Sequence, residues 1–234
     1  MTRTIFLFTL LSFFSLSAKS LEEVIEKARS YVGPNETLES VDSLLYQGTL
    51  TPEGGSTERQ VRLVLEKPAS QLLEITQDQG RITMVVNALE GFMVQEDLGT
   101  GRKAVLPLPL DQVRRFKANA AENLYFFEFP TSAQVRAKYL GESSFRGQTA
   151  DEVRYVHPGG IQFFRYFDPE TGELIGTLTD NGSVNTEEGE TVVDGIRFAE
   201  KVLSYEGDDL VHTITFSEIE VNPDLPEDTF ASPE

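Results

Sequence analysis

The sequence has no cysteine and no tryptophan, only two histidines and three methionines, and 20 basic against 38 acidic residues. Without cysteine there is no disulfide, no thiol nucleophile, no cysteine zinc site and no lipidation through a cysteine thiol. The absence of disulfides neither supports nor denies an oxidising compartment. The histidines, His157 and His212, stand alone at strand positions, and neither an HExxH nor a GxSxG motif occurs. Paired carboxylates for glycoside hydrolysis usually come with aromatic sugar platforms, often tryptophan, so an enzyme is the weaker class. A formal charge of −18 supplies no basic footprint for nucleic acid and repels anionic lipid surfaces. Two acidic groups, Asp168/Glu170/Glu173 and Asp180/Asn181/Glu187/Glu188/Glu190, do not follow EF-hand spacing. They read as solvated turns, so no metal and no cofactor is assigned. Leu98 to Lys103 resembles a phosphate loop only in glycine content. It lacks the GxxxxGK[ST] spacing and reads as a hairpin turn.

What is present is aromatic and extended. The 234 residues include 16 Phe and 7 Tyr, and 39% are hydrophobic, enough for a real core. Arg3, the apolar run Ile5 to Leu16 and the small residues around Ala18 have the pattern of a signal peptide over 1–18, cleaved after Ala18 or after Ser20. That run is shorter than the roughly 20 residues a spanning helix needs. The expectation is an exported, soluble chain with a single domain over 19–234. Leu21, Val24, Ile25, Ala28 and Val32 share one helical face, Ser20 with Glu23 forms a capping box, and Gly33-Pro34 stops the helix.

From Leu44 onward the period is two. Leu44–Thr51, Glu58–Glu66, Gln71–Gln77, Arg81–Asn87 and Phe92–Asp97 read as strands of an antiparallel meander. A helical insertion is predicted near 109–129, with the aromatic run Leu124 to Phe129 at its end. Strands return at Gln134–Ser143, Asp151–His157, Thr191–Val193, Ile196–Glu206 and Leu210–Val221. The most telling stretch is Ile161 to Leu178. Ile161, Phe163, Arg165 and Phe167 point one way, and Phe164 and Tyr166 the other. The Asp168-Pro169-Glu170-Thr171-Gly172 turn follows, and Leu174, Gly176 and Leu178 resume the alternation. A strand with aromatics on both faces needs apolar cover on both. The pattern alone leaves open which face is concave.

Together these residues carry a resemblance. In order come the leader and amphipathic helix, Lys67-Pro68, Gly91-Phe92, then Tyr139-Leu140-Gly141-Glu142 and Gly147. Tyr166-Phe167-Asp168 with Thr171-Gly172 follow, then Val193-Asp194-Gly195-Ile196, Ile219-Glu220-Val221-Asn222-Pro223 and Asp228-Thr229-Phe230. This order resembles the periplasmic outer-membrane lipoprotein carriers and their LolA-like superfamily. The resemblance implies a mainly β, α+β fold: a strongly curved, unclosed antiparallel half-barrel of about eleven strands with α-helices over its concave face. It implies a periplasmic monomer that shelters acyl chains or lipoprotein cargo between an inner-membrane transporter complex and an outer-membrane acceptor. The candidate cavity lining is Val61, Leu63, Leu65, Leu73, Ile75, Met84, Phe92, Val94, Phe126, Ile161, Phe163 and Phe167. Lys67 stands where the resemblance places a lid-holding arginine, without the bidentate fork of a guanidinium. Alternatives are a lipid-binding or envelope-sensing module with no transport role and, ranked lower, an exported β-class hydrolase.

Overall fold

The computed structural model describes residues 19–55, 57–87 and 90–232; the predicted signal peptide lies outside them. Helix α1 (Leu21–Val32) begins as expected. Ser20 Oγ accepts from the Glu23 backbone N–H, and the Glu23 carboxylate accepts from the Ser20 N–H at 2.6 Å. Pro34 then starts a short second helix, α2 (Asn35–Glu39), that the helix-stop reading of Gly33-Pro34 did not anticipate.

The strands follow as β1 (Ser43–Pro52), β2 (Arg59–Glu66), β3 (Ser70–Gln77), β4 (Gly80–Val86), β5 (Gly91–Asp97) and β6 (Lys103–Pro107). Helix α3 (Leu110–Leu124) interrupts them. Then come β7 (Arg136–Phe145), β8 (Gln148–Val156), β9 (Gln162–Phe167), β10 (Leu174–Thr179) and β11 (Ser183–Glu188). The last are β12 (Thr191–Val193), β13 (Ile196–Phe198), β14 (Lys201–Glu206) and β15 (Asp209–Val221). Thirteen strands form one sheet in the order β6-β5-β4-β3-β2-β1-β15-β14-β11-β10-β9-β8-β7, and β12 with β13 forms a separate hairpin. Every ladder in the large sheet is antiparallel. The sheet does not close, since β6 and β7 end it on opposite sides. An open sheet of this width coils under the right-handed twist of its strands. The result is the curved, unclosed α+β half-barrel, with thirteen strands among the described residues where about eleven were expected.

The helices lie on one face. Leu44, Tyr46 and Leu65 of the sheet pack with Ala120 and Leu124 of α3 and with Ile196 and Phe198 of the small hairpin. Val153, Tyr155, Phe163 and Phe167 pack with Val24 and Ala28 of α1 and Ala118 of α3. That face is the concave one, so the question left open at Ile161 to Leu178 is settled: Ile161, Phe163 and Phe167 face the helices. Phe164 and Tyr166 face outward, where Phe145 stacks on Tyr166 at 4.4 Å and lies against Gly176. A bulge between Leu174 and Gly176 breaks the expected alternation. Leu174 joins the cluster under α1, while Gly176 and Leu178 pair with the outward Tyr166 and Phe164.

The Asp168–Gly172 turn is a seat for α1. The Asp168 carboxylate accepts from the backbone N–H groups of Thr171 (2.7 Å) and Glu170 (2.9 Å) and from the Thr171 hydroxyl. Those bonds, the Thr171 N–H first, hold its pKa below the ordinary value. A side chain at Gly172 (φ +84) would lie 2.6 Å from the Lys27 carbonyl of α1. Lys27 Nζ in turn donates to the Pro169 carbonyl at 2.7 Å.

Candidate functional site

Directly opposed residues of an antiparallel ladder share a face, so the register lists the concave surface row by row. One row crosses β1 to β6 as Tyr46, Leu63, Leu73, Met84, Met93 and Leu106. The next carries Val61, Ile75 and Ile82. Helix α3 covers only the strand ends beside these rows. Its Val113 lies against Val86 and Gly91, where a Cβ would come within 2.6 Å. Beyond it, Leu63, Leu73, Ile75, Met84 and Met93 are half-buried, and Ile82 and Leu106 are exposed, at 38% and 44%. The opposite face of the same strands is divided: Leu45, Val64, Leu72, Val85 and Phe92 form a buried cluster, and beside it Arg81 lies 3.4 Å from both Glu74 and Glu96, with Lys103 also reaching Glu96. The concave side holds an apolar trough half-open to solvent.

Across β9 to β15 the concave face is different. One row reads Arg165, Thr177, Asn185, Ser204 and His212. Ser204 Oγ donates to Asn185 Oδ1 at 2.8 Å. Glu122 of α3 reaches down onto this half. Its carboxylate accepts from Arg165 Nε at 2.9 Å and meets His157 Nε2 at 2.5 Å, with all three side chains largely buried. An ionised carboxylate only accepts, so the histidine donates through Nε2. Around this group the space is filled: Phe127 stands edge-on to Phe167 at 4.9 Å, and Phe129 packs against Tyr155 and His157.

The segment after α3 joins the two halves. Phe126 and Phe127 both have positive φ, +45° and +72°, a region that costs bulky side chains on the order of 1–3 kcal/mol each. Their carbonyls are clamped. Arg29 of α1 donates to the Tyr125 and Phe126 carbonyls at 3.3 and 3.1 Å, and Tyr155 Oη donates to the Phe127 carbonyl at 3.2 Å. Arg29 is buried, also bonds Asn35 Oδ1 and reaches Glu128. Lys67 sits on the same segment, its Nζ 5.4 Å from the centre of the Tyr125 ring. Desolvation lowers its pKa.

Between the two halves lies a cavity of about 180 Å³. Its walls are Tyr31 and Val32 of α1, Glu122, Asn123, Phe126 and Phe127 around the end of α3, the Glu173-Leu174 turn, and Gly189, Glu190, Arg197, Phe198 and Ala199 beside and within the small hairpin. Its floor is Tyr46, Leu63, Arg165, Glu187, Val202 and Phe216 of the sheet. Leu63 and Tyr46 belong to the trough as well, so the two spaces adjoin. Desolvation raises the pKa of Glu187; Arg165 opposes the shift and Glu173 adds to it. Burial, and then Glu187, pushes the Tyr46 hydroxyl up. The Tyr31 pKa rises to about 12, first through desolvation and then through its hydrogen bond to Glu190. Among the described residues no three His, Asp or Glu side chains converge as metal ligands.

The predicted lining residues therefore separate. Leu63 and Phe126 line the cavity. Leu73, Ile75 and Met84 lie in the open trough with the buried Val61, and Leu65 lies in the core beneath α3. Ile161, Phe163 and Phe167 are packed under α1 and α3 and face no open space. Phe92 and Val94 are on the wrong side. Met84 pairs with Met93, so Phe92 and Val94 fall on the convex face, under Leu225 and Phe230 of the C-terminal segment. A one-residue offset between neighbouring strands moves a whole apolar set across the sheet. Sequence reasoning missed Met93, Ile82, Tyr46, Phe216 and Glu187. The alternation in Gly91–Asp97 contained Met93, but Phe92 was the stronger hydrophobic signal.

No family model matches the sequence, and no curated protein matches it. Solved structures do match in shape. A putative outer membrane lipoprotein-sorting protein domain from Vibrio parahaemolyticus is 12% identical with a TM-score of 0.55, over 89% of this chain and 95% of that one. A LolA superfamily protein from Nitrosomonas europaea is 10% identical with a TM-score of 0.55, over 92% and 99%. A DUF1329 family protein from Desulfovibrio piger is 7% identical with a TM-score of 0.57, over 91% and 98%. The fold thus has counterparts among solved structures, and the chain has a LolA-like fold.

Proposed function

We propose that this protein is an exported, periplasmic lipid- or lipoprotein-binding carrier that shelters acyl chains on its concave face. One observation carries the reading: the apolar trough of Leu63, Leu73, Ile75, Ile82, Met84 and Met93, left half-open beside α3, while the apolar residues on the convex face of the same strands are buried under the C-terminal segment. Apolar side chains exposed as a continuous strip mark a binding surface. Burial of a chain there is worth roughly 0.8 kcal/mol per CH₂, with no specific polar contact required. The similarity in shape to a lipoprotein-sorting domain supports the same reading. A donor complex at the inner membrane and an acceptor at the outer membrane belong to this proposal.

Export belongs to the same proposal, and processing after Ala18 would keep Lys19, whose Nζ lies 2.5 Å from the buried Asp151 carboxylate. Native mass spectrometry of protein isolated from the periplasm tests the function. A carrier emerges with bound lipid or acylated protein, whereas a ligand-free protein that also ignores fluorescent fatty acids is no carrier.

A further inference from the structure

We propose that Arg59, at the end of the trough away from α3, seats an anionic head group, so that the preferred ligand is a lipid with a carboxylate or phosphate head at Arg59 and its tail along the trough. This rests on the carrier reading and narrows it to one ligand class.

Position comes first. Arg59, Val61, Leu63 and Leu65 alternate onto the concave face of β2, so the guanidinium stands where that apolar row ends. Leu65 lies beneath α3. At a strand rise of about 3.3 Å per residue, Leu65 and Arg59 are roughly 20 Å apart, which matches an extended fatty-acyl chain laid across Leu63 and Val61. The floor continues to either side of Arg59. Leu50 of β1 opposes it, Ile214 of β15 opposes Leu50, and both are half-buried.

Charge points the same way. The chain has 38 acidic against 20 basic residues, yet the half-buried Arg59 has no carboxylate partner. Its Nε donates to Gln77 Oε1 at 2.8 Å, and among the described residues it makes no other hydrogen bond and no ion pair. That bond orients the planar fork and leaves both terminal nitrogens free. Two parallel N–H groups on such a fork match the oxygens of a carboxylate or phosphate. His212 lies in the neighbouring row of the same face, opposite Pro52. Burial, and then the charge of Arg59, lowers its pKa, so it stays neutral at pH 7 and offers a ring N–H to the same head group. An ammonium head would be repelled by the guanidinium. The overall charge of −18 opposes any anion at long range, but at about 0.15 M salt charges beyond roughly 8 Å are largely screened and Arg59 decides.

Calorimetric titration at about 0.15 M salt tests this with dodecanoate, dodecyl phosphate and dodecyl maltoside below their micelle concentrations, and with inorganic phosphate. An anionic amphiphile should bind about 10- to 100-fold tighter than the neutral maltoside, and the tighter of the two anions names the head. Inorganic phosphate, which has no tail, should not bind detectably. Arg59→Gln should erase the preference and leave dodecyl maltoside unchanged. Arg62→Gln, the same charge change on the opposite face of β2, should leave the preference intact. If dodecyl maltoside binds and neither anion is tighter, or if Arg59→Gln leaves the preference as it was, the head-group seat is wrong while the carrier reading stands. Inorganic phosphate binding as tightly as dodecyl phosphate also overturns the seat, because the site then takes a free anion. If none of the three amphiphiles binds, both readings fall.

Discussion

The concave face of the sheet is built in two ways. Across β1 to β6 it is apolar and half-open: Leu73, Met84 and Met93 lie in one row and Ile75 in the next, all half-buried beside α3. Across β8 to β11 it is filled except where Arg165, Leu174 and Glu187 border the cavity. Aromatic side chains from β8, β9 and the segment after α3 fill it, and Arg165, Thr177 and Asn185 give it polar character. Both halves are antiparallel sheet, and α3 packs on each. What differs is where the aromatic residues are spent. Phe127, Phe129, Phe163 and Phe167 consolidate one half, and unbranched methionines and small aliphatics leave the other adaptable. A binding site in this fold is thus the half that the helices fail to fill, and the filled half anchors them.

The largest effect should come from breaking the anchor. Glu122→Ala leaves Arg165 and His157 in a buried site without their acceptor, and removing one partner of a buried pair costs about 3–5 kcal/mol. Urea denaturation should show that loss. An unchanged midpoint would mean the two halves are not tied together through α3.

In the open half the balance reverses. Leu73→Gln with Met84→Gln should cost about 1 kcal/mol per site, because neither side chain is fully buried, yet weaken alkyl-chain binding at least tenfold. A matching double change in the filled half, Phe163→Ala with Phe167→Ala, should do the opposite, at about 3–5 kcal/mol per site in stability. Equal effects of the two pairs on binding would erase the distinction between the halves.

The smallest expected effect lies at their boundary. The Glu187 pKa is raised in the folded protein above its ordinary value of 4.5. Between that value and the folded one, the native state holds more protons than the unfolded state, so stability falls as pH rises through this window. Glu187→Gln removes the burden, which is small because the side chain is also open to solvent. The variant should melt higher than the parent at pH 7, and the gap should close as the pH drops below 4.5. A gap independent of pH would show that Glu187 is not desolvated.

Much of this organisation was legible from the chain. The Ser20/Glu23 capping box, the outward and inward sets of the aromatic strand at Phe163 to Phe167, and the Val61/Leu63/Leu65 face all follow from spacing alone. Strand β6 was missed because Lys103–Pro107 is an exposed edge strand ending in proline, with little burial to shape its pattern. Strand β11 was missed because SVNTEE reads as a polar turn; its acidic end instead forms a wall of the cavity. The expected strand Ile196–Glu206 divides at Ala199-Glu200, where β13 leaves to pair with β12. The cavity itself was invisible for a plain reason. Glu122, Arg165, Glu187 and Phe216 lie on separate elements, and only the register and the seat of α1 on the Asp168–Gly172 turn bring them together.

The open half contains two of the chain's three methionines, Met84 and Met93, directly opposed on β4 and β5; the third is Met1. Methyl-labelled methionine therefore reports on the trough with almost no background. When the labelled protein is titrated with dodecyl maltoside and followed by carbon–proton correlation NMR, both trough methyl signals should move together and saturate with the calorimetric affinity. If the probe binds while the Met84 and Met93 signals stay fixed, the trough is not where acyl chains go.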